Sequence, residues 1–310
     1  MAGRLAQTKL PMQLVELRVR SRTPQDELDR KLGKIVTPKD YNLLLTGPTR
    51  VVAPAGQPLL IYLPRAIPPA LNATHYPTLH GIKGQTDNRG LASGSRTIQL
   101  RRQRRANQVA STIIGNFDRA GGRFPYCRTT AWTGKNTEQF RALYPLFQHI
   151  AAQMQAYVPA RYAVQMAEAE RTHPDWRVGD TPFTTMTVNN TYPTGVHVDK
   201  GDLDEGFSCL AVWRRGQYAG GHLTFPEWRL AIDLQDGDLV LMDAHQWHGN
   251  TAMELLSEDA ERISLVLYYR TRVKACGSEI EERQRELAIK TKNIKAGVDS
   301  FASVACPGTP

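Results

Sequence analysis

Short runs of β-type residues, separated by Gly, Pro and Asp, occupy residues 183–270. Helical patterns lie outside this segment, including an apolar stripe that runs from Phe140 to Tyr157. Regularly spaced short strands predict a two-sheet barrel or jelly roll. The expected fold class is therefore α+β, with a double-stranded β-helix (cupin-like) core wrapped by helices. The runs are Thr184–Asn189, Phe207–Trp213, His222–Phe225, Arg229–Leu234, Asp238–Asp243 and Ile263–Arg270.

The chain has 310 residues, enough for one large domain or two ordinary ones. We expect an N-terminal extension that packs on the core (1–80), a domain built on the β segment (81–296) and a flexible tail (297–310). No apolar run is long enough for a membrane-spanning helix, and the first residues lack a signal peptide. The sequence therefore predicts a cytoplasmic protein that is not secreted. The cysteines show no CxxC spacing, so free thiols are expected instead of disulfides.

The formal net charge of +9 is unevenly distributed along the chain. Residues 183–270 carry a net charge of −7, whereas the rest of the chain carries +16. Within residues 83–105, a Gly-rich loop and an expected helix together carry +6. Such a basic cluster favours contacts with phosphate groups. The alternative is a solvated helix face that binds nothing.

The first motif whose side chains could take part in chemistry is His197-Val198-Asp199. Alternate side chains of a strand share a face, so His197 and Asp199 can reach one metal ion. His248 supplies a third ligand; His245 lies an odd number of residues away, so an extended backbone turns only one of the two inward. Two histidines and one carboxylate form the facial triad of non-haem Fe(II) oxygenases. The alternative is a chance triplet with a structural histidine.

The second motif is Arg262-Ile263-Ser264, at the start of the last β-type run. Strand alternation places Arg262 and Ser264 on one face, and an arginine fork beside a hydroxyl suits a carboxylate. A metal triad followed by a carboxylate clamp is what an α-keto acid cosubstrate requires. The two motifs together predict a 2-oxoglutarate oxygenase. Alternatively, Arg262 pairs with Glu261 or Asp259.

Four segments carry a resemblance to a known family. They are TVNNTYPTGVHVDKGD, GGHLTFPE, DGDLVLMDAHQWHGNT and RISLVLYYR. They resemble the TET/JBP family of 2-oxoglutarate- and Fe(II)-dependent DNA dioxygenases, and the chain is similar to its small bacteriophage members. HVDKGD and HGNT look closest to the thymine-hydroxylating JBP branch, while RISLV-Y is equally TET-like. The resemblance is specific over residues 183–270 and extends back to about Gly81.

The resemblance implies Fe(II), 2-oxoglutarate and O2 as the reacting set. By residue, His197, Asp199 and His248 match the iron ligands, and O2 takes the remaining position. For 2-oxoglutarate, the matching residues are Arg262, Ser264, Asn189, His222 and Arg128. The alternative for His222 is a satisfied histidine beside a Gly-rich turn.

The resemblance also implies residues that bind the target base. Tyr268 matches an aromatic residue that stacks on a flipped pyrimidine, and Asp202 lies where the family reads the base edge. Arg270 departs from the histidine that TET enzymes have there. A carboxylate could accept from cytosine N4–H or from thymine N3–H, and Arg270 could donate to either ring. Donor and acceptor chemistry therefore leaves the base open.

A methyl group inside duplex DNA cannot reach a buried iron, so the nucleotide must be extruded. The cost of extrusion has to be offset by phosphate contacts outside the acidic core. Residues 83–105 are the predicted source of these contacts. Because RRQRR does not form a single helical stripe, some of its arginines must be spectators. The predicted DNA-contacting residues are Asn88, Arg89, Arg101, Arg102, Arg104 and Arg105.

The expected function is oxidation of 5-methylcytosine in DNA to 5-hydroxymethylcytosine, with further oxidation to the 5-formyl and 5-carboxyl bases, in hypermodification of phage DNA. The expected protein is a monomer in the host cytoplasm, coupled to a cytosine methyltransferase and to downstream base-modifying enzymes. Three alternatives stay open. They are a JBP-like thymine hydroxylase that makes 5-hydroxymethyluracil, a binding protein with an inactive oxygenase core, and a small-molecule hydroxylase. The last leaves the basic cluster unexplained.

Overall fold

The computed structural model of the protein describes residues 12–20, 23–84, 110–119 and 124–304. No α-helix within these ranges is both long and apolar enough to cross a membrane. The helices are α1 (Gln25–Lys31), α2 (Pro69–Gly81), α3 (Ala131–Lys135), α4 (Thr137–Ala142), α5 (Tyr144–Tyr157), α6 (Pro159–Arg171) and α7 (Glu279–Val304). Helix α7 includes the first part of the segment expected to be a flexible tail.

The strands of the described ranges form one large sheet, one smaller sheet and a two-stranded ribbon. All six β-type runs of the sequence become strands, with ends shifted by no more than two residues. In chain order the strands are β1 (Val15–Arg18), β2 (Leu43–Leu45), β3 (Thr49–Val52), β4 (Pro58–Leu63), β5 (Ser111–Phe117), β6 (Arg128–Thr129), β7 (Thr185–Asn190), β8 (Ser208–Arg215), β9 (Tyr218–Gly220), β10 (Leu223–Phe225), β11 (Leu230–Ile232), β12 (Leu239–Met242), β13 (Gly249–Asn250), β14 (Met253–Leu255) and β15 (Glu261–Tyr268).

The large sheet has the order β1-β3-β4-β12-β8-β15-β7-β5-β6, and the smaller sheet has the order β13-β10-β11-β2. Strands β9 and β14 form the ribbon. The segment before residue 81 is part of both sheets, because β4 pairs with β12 and β2 pairs with β11. These N-terminal strands complete the edges of sheets whose centres come from the 183–270 segment.

Strand alternation divides the large sheet into two apolar faces. On β12, Leu239 and Leu241 pack against the helices, whereas Val240 and Met242 pack against the smaller sheet. The core between the two sheets includes aromatic and aliphatic side chains of β10 and β11, among them Phe225. A central strand buried on both faces explains why its sequence is a continuous apolar run.

Helix α5 carries the apolar stripe found in the sequence. Phe147, Ile150 and Met154 are fully buried against the large sheet. The helix begins at Tyr144 with Pro145 in its first turn, where proline loses no hydrogen bond. The apolar stripe from Phe140 to Tyr157 is therefore divided between two helices, since α4 ends at Ala142.

Helix α7 is fastened to the sheet at its N-terminus. Ser278 and Glu281 form a capping box, with Ser278 N–H donating to Glu281 Oε2 at 2.6 Å. In the next position, the Glu282 side chain is only 1% exposed and accepts hydrogen bonds from Arg119 and from the backbone of Cys127 and Gly277. Burial by itself would raise the pKa of Glu282, but these donors lower it below its usual value.

We expect Glu282→Gln to lower the free energy of unfolding at pH 7 by about 2 kcal/mol, because a charge-assisted network loses its charge. The lowered pKa stabilises the fold above the unfolded-state pKa near 4.5 and this contribution is lost as pH falls through the folded-state pKa. Denaturant unfolding should therefore show a difference in the free energy of unfolding between wild type and Glu282→Gln that is smaller at about pH 3.5 than at pH 7. Exposed Glu279→Gln is the control. If the difference between wild type and Glu282→Gln is the same at both pH values, the charge on Glu282 does not stabilise the fold.

Cys127 and Cys276 form a disulfide, with Cα atoms 5.9 Å apart. The expectation of free thiols is wrong for this pair; Cys209 is free and buried. The two cysteines are separated by 149 positions in the chain, so no local spacing could reveal them. The bond joins the start of β6 to the turn that follows Arg270, within a small buried cluster with Trp176 and Val273.

Candidate active site

A cavity of about 330 Å³ opens between the two sheets. Strand β15 lines it with alternate residues, since Ile263, Leu265 and Leu267 face the helices instead. The structure thus brings together most of the side chains singled out in the sequence. Those on the cavity wall are His197, Asp199, His248, Asn189, Asp202, Arg262, Ser264, Tyr268 and Arg270.

The potential metal ligands converge on one point of this wall. His197 and His248 face each other across an isolated antiparallel bridge, closed by reciprocal backbone hydrogen bonds of 2.8 and 2.9 Å. One ligand atom from each histidine and from Asp199 all lie within 4.8 Å of one another. His197 Nε2 is 3.4 Å from one Asp199 oxygen, and His248 Nε2 is 3.8 Å from the other.

Both histidines are oriented by backbone carbonyls. His197 Nδ1 lies 2.8 Å from Gly195 O, and His248 Nδ1 lies 2.8 Å from Gln246 O. A carbonyl can only accept, so each Nδ1 carries the proton and each Nε2 is left with its lone pair towards Asp199. This second set of contacts is typical of histidines that bind a metal. The three residues therefore fit a divalent ion with open coordination positions.

Arg262 is 3% exposed, and its Nη2 has no hydrogen-bond partner among the described residues. The alternative pairings from the sequence do not form. Glu261 binds His80, Tyr76 and Asn190, while Asp259 accepts from Ser257. Burial lowers the pKa of the guanidinium. An unsatisfied buried cation on a cavity wall fits an anionic ligand such as the distal carboxylate of an α-keto acid.

Ser264 lies two residues after Arg262 on the same face of β15, and its hydroxyl is held by Asn189 on β7. Asn189 is directly opposite it in the antiparallel register, with Nδ2 3.3 Å from Ser264 Oγ. Ser111 on β5 in turn donates to Asn189 Oδ1 at 2.7 Å. The predicted cosubstrate residues Arg262, Ser264 and Asn189 therefore lie on two adjacent strands, and Ser111 extends this polar strip to a third.

The predicted base-binding residues lie at another part of the wall. Asp202 and Arg270 form a backbone bridge, and the Tyr268 hydroxyl lies 3.1 Å from Thr187 Oγ1. Burial raises the pKa of Asp202 to about 7; the charge of Asp199 acts in the same direction and Arg270 opposes it. The wall thus presents a carboxyl group and a guanidinium side by side, next to an aromatic ring.

Arg270 is fixed by two residues that the sequence analysis did not identify. Its guanidinium stacks on Phe117, with Cζ 4.2 Å from the ring centroid, and pairs with buried Asp118 at 3.1 Å. Arg270 Nε is buried without a partner among the described residues. Phe117 itself lines the cavity. No local signal marks the GNFDR segment, because its role depends on β5 lying beside β7 in the sheet.

Two predicted cosubstrate residues are not on the cavity wall. His222 Nδ1 lies 3.4 Å from the Tyr41 hydroxyl, and its Nε2 lies 3.8 Å from Asp233. Arg128 stacks over Phe124 and Phe117, at 4.0 and 5.0 Å from the centroids. Its cross-strand pairing with Phe117 draws it to the base-binding side. The predicted DNA contacts Asn88, Arg89, Arg101, Arg102, Arg104 and Arg105 lie outside the described residues.

The geometry can now be set beside known proteins. Residues 114–271 match the TET/JBP family model, described as the oxygenase domain of the 2OGFeDO superfamily. The protein belongs to this family. Oxygenases of this superfamily use Fe(II), 2-oxoglutarate and O2. The expected cofactor set is therefore confirmed, and the His-Asp-His triad supplies the ligand types that it requires.

Several curated relatives of this TET/JBP protein are trypanosomatid enzymes. Thymine dioxygenase JBP1 of Trypanosoma brucei brucei is 34% identical over 197 residues, which are 62% of this chain and 22% of that protein. Thymine dioxygenase JBP1 of Leishmania braziliensis is 34% identical over 179 residues, covering 56% and 21%. The match thus spans about a fifth of the length of these relatives.

Among solved structures, NgTET1 in complex with 5mC DNA aligns with a TM-score of 0.58. The alignment covers 87% of this chain and all of that chain at 14% sequence identity. At this identity the likeness concerns the fold. It confirms the predicted α+β class with a double-stranded β-helix core.

Proposed function

We propose that the protein is a DNA dioxygenase that oxidises the 5-methyl group of 5-methylcytosine to 5-hydroxymethylcytosine, and onward to the 5-formyl and 5-carboxyl bases. One observation carries the proposal: the triad, the Arg262 clamp and the Asp202–Arg270 edge line the same cavity. When bound, iron, 2-oxoglutarate and O2 supply the oxidation, in which one oxygen atom enters the methyl C–H bond and the other leaves in succinate as CO2 is released.

The residues of this chain bind, orient and exclude water. Arg262 and Ser264 would hold the distal carboxylate of 2-oxoglutarate, and Tyr268 would stack on the extruded pyrimidine. Extrusion is required because the triad is buried, with His197 and His248 less than a tenth exposed. An inactive oxygenase core would not need to keep an unpaired Arg262 beside an intact triad.

The base edge favours cytosine on hydrogen-bond grounds. Along its pairing edge, cytosine presents the N4 donors and then two acceptors, N3 and O2. The Asp202 carboxylate can accept from N4–H, and the adjacent Arg270 fork can donate to the other two. The pairing edge of thymine presents an acceptor, a donor and an acceptor in turn. Asp202 and Arg270 by themselves would therefore leave one thymine carbonyl without a hydrogen bond. Lys200, which also lines the cavity, would have to supply the missing donor.

The second candidate is hydroxylation of thymine to 5-hydroxymethyluracil. It is favoured by the 34% identity to proteins named thymine dioxygenases. Both candidates use the same triad and clamp, and they differ only at the base edge.

DNA is the proposed partner in either case, with phosphate contacts from residues 83–105. Because 5-methylcytosine arises by methylation of cytosine, a cytosine methyltransferase would act first, and enzymes that modify 5-hydroxymethylcytosine would act afterwards. This is the sequence of reactions expected for hypermodified phage DNA. We also propose a monomer, since one chain contains every residue of the site.

We expect nucleoside mass spectrometry to detect 5-hydroxymethylcytosine, at the expense of 5-methylcytosine, after the protein is incubated with Fe(II), 2-oxoglutarate and methylated duplex DNA. Matched duplexes should carry either cytosine or 5-methylcytosine, and a further duplex should carry uracil in place of thymine. The Asp199→Ala variant is the inactive control. Formation of 5-hydroxymethyluracil with 5-methylcytosine intact would overturn the first candidate and support the second. Consumption of neither base would overturn both.

A further inference from the structure

A buried tyrosine outside the cavity wall interacts with Arg262. Tyr218 is 4% exposed and is not part of the cavity wall, yet its phenol interacts with the Arg262 guanidinium. Neither the Tyr218 hydroxyl nor Arg262 Nη2 has a well-formed hydrogen bond among the described residues. Adjacent buried polar groups left unsatisfied are costly, so they point to a state in which both are satisfied.

Arg214 holds the Tyr218 ring in place. Arg214 Cζ lies 4.0 Å from the ring centroid, and its Nη2 donates to Tyr218 O at 2.8 Å. Arg214 and Arg262 are directly opposite in the β8–β15 register, so their side chains leave the same face of the sheet. Two positive charges directly opposite each other on neighbouring strands repel. The ring covers one guanidinium and its phenol meets the other, so Tyr218 separates the two charges.

The chain after Tyr218 is shaped to allow this approach. Gly221 has a φ of +70°, and a Cβ there would lie 2.9 Å from Met253 Cγ and 3.5 Å from Arg262 Cδ. Glycine at this position therefore lets the β9 ribbon pass close to the stem of Arg262. The Tyr218–Arg262 contact is thus fixed by the backbone as well as by the side chains.

We propose that Tyr218 is a positioning residue for the cosubstrate clamp. Its hydroxyl accepts from one N–H of Arg262 Nη2 when a carboxylate occupies the cavity, and this contact turns the second Nη2 N–H and the rest of the fork towards the distal carboxylate of 2-oxoglutarate. The inference rests on the proposed role of Arg262, and it is independent of the target base. Tyr218 would act on cosubstrate affinity and selectivity, without contact to the reacting atoms.

The test compares two keto acids that bind the metal alike. 2-Oxovalerate has the carbon chain of 2-oxoglutarate with a methyl group in place of the distal carboxylate. Isothermal titration of Mn(II)-loaded protein should show that Tyr218→Phe weakens 2-oxoglutarate binding about tenfold, the effect of one hydrogen bond to a charged group, and leaves 2-oxovalerate binding within about twofold. Tyr62→Phe is the matched control, because it removes another buried hydroxyl, which donates to Asp238 at 2.7 Å.

A double-mutant cycle separates positioning from a general structural role. In an Arg262→Lys background, Tyr218→Phe should cause no further loss of 2-oxoglutarate affinity, since the fork that it orients is gone. Three outcomes would overturn the inference about Tyr218 and leave the proposed function intact. They are equal weakening of binding for both keto acids in Tyr218→Phe, unchanged affinity of Tyr218→Phe for 2-oxoglutarate, and additive losses of affinity in the double-mutant cycle. Wild-type protein that does not discriminate between the two keto acids would overturn the role of Arg262, and the inference with it.

Discussion

His248→Gln is expected to abolish oxidation, lowering kcat by about 10³-fold or more, and to leave the purified protein with little bound iron. The His248 ring lies 4.4 Å from the His197 ring, and His248 Nε2 lies 3.8 Å from an Asp199 oxygen, so His248 completes the triad. Two remaining ligands cannot form the facial arrangement that keeps positions open for 2-oxoglutarate and O2. Turnover by nucleoside mass spectrometry and iron content by elemental analysis would measure the two effects.

The control is a second histidine in the same turn. His245 Nδ1 binds Asp243 at 3.0 Å, and this hydrogen bond raises the pKa of His245. His245→Gln should therefore keep the full iron content, since His245 is not among the converging ligands. Loss of iron from His245→Gln, with iron retained in His248→Gln, would reverse the assignment of the HQWHGN segment.

The second large effect is expected for Arg262→Met. The apparent KM for 2-oxoglutarate should rise about 100-fold or more, because the cosubstrate loses its only buried cation on this wall of the described cavity. The ligand-free variant should melt no lower than the wild type, since methionine replaces an unsatisfied buried charge. Thermal melting with and without 2-oxoglutarate would show both effects in one experiment.

Arg215→Met provides the comparison. Arg215 is on the neighbouring strand, where it pairs with Asp236 and stacks over Tyr76, outside the cavity. This variant should keep the 2-oxoglutarate-dependent rise in melting temperature. If Arg262→Met keeps that rise and melts well below the wild type without ligand, Arg262 is a structural residue and the clamp lies elsewhere.

Much of the β core could be predicted because it depends on strand alternation, as the Arg262-x-Ser264 spacing on β15 shows. The ligands His197 and Asp199 could be predicted from the short HxD spacing, which brings them within 3.4 Å of each other outside any regular strand. On β15, the strand period separates the cavity residues Arg262, Ser264 and Tyr268 from Ile263, Leu265 and Leu267, which pack on the helices. These relations are local, so the sequence contains them.

Contacts between distant segments were beyond such reasoning. The N-terminal strands give no sign that they join both sheets, and the cysteines of the disulfide lie 149 positions apart. Tyr41 of the N-terminal segment lies against the His222 ring, a contact that the motif around His222 does not predict. Arg128 is drawn to Phe117 by the β5–β6 pairing. Each outcome depends on a partner remote in sequence.

Because residue types repeat at the period of a strand, the sequence predicted the jelly-roll class, the metal ligands and the residues proposed as the carboxylate clamp. Only the tertiary structure decided which charged groups remain unpaired. Arg262 is buried and Arg270 is partly buried; Arg270 pairs with Asp118, whereas Arg262 Nη2 has no partner among the described residues. Pairing depends on how the strands lie side by side, and an unpaired charge in the core marks where the ligand binds.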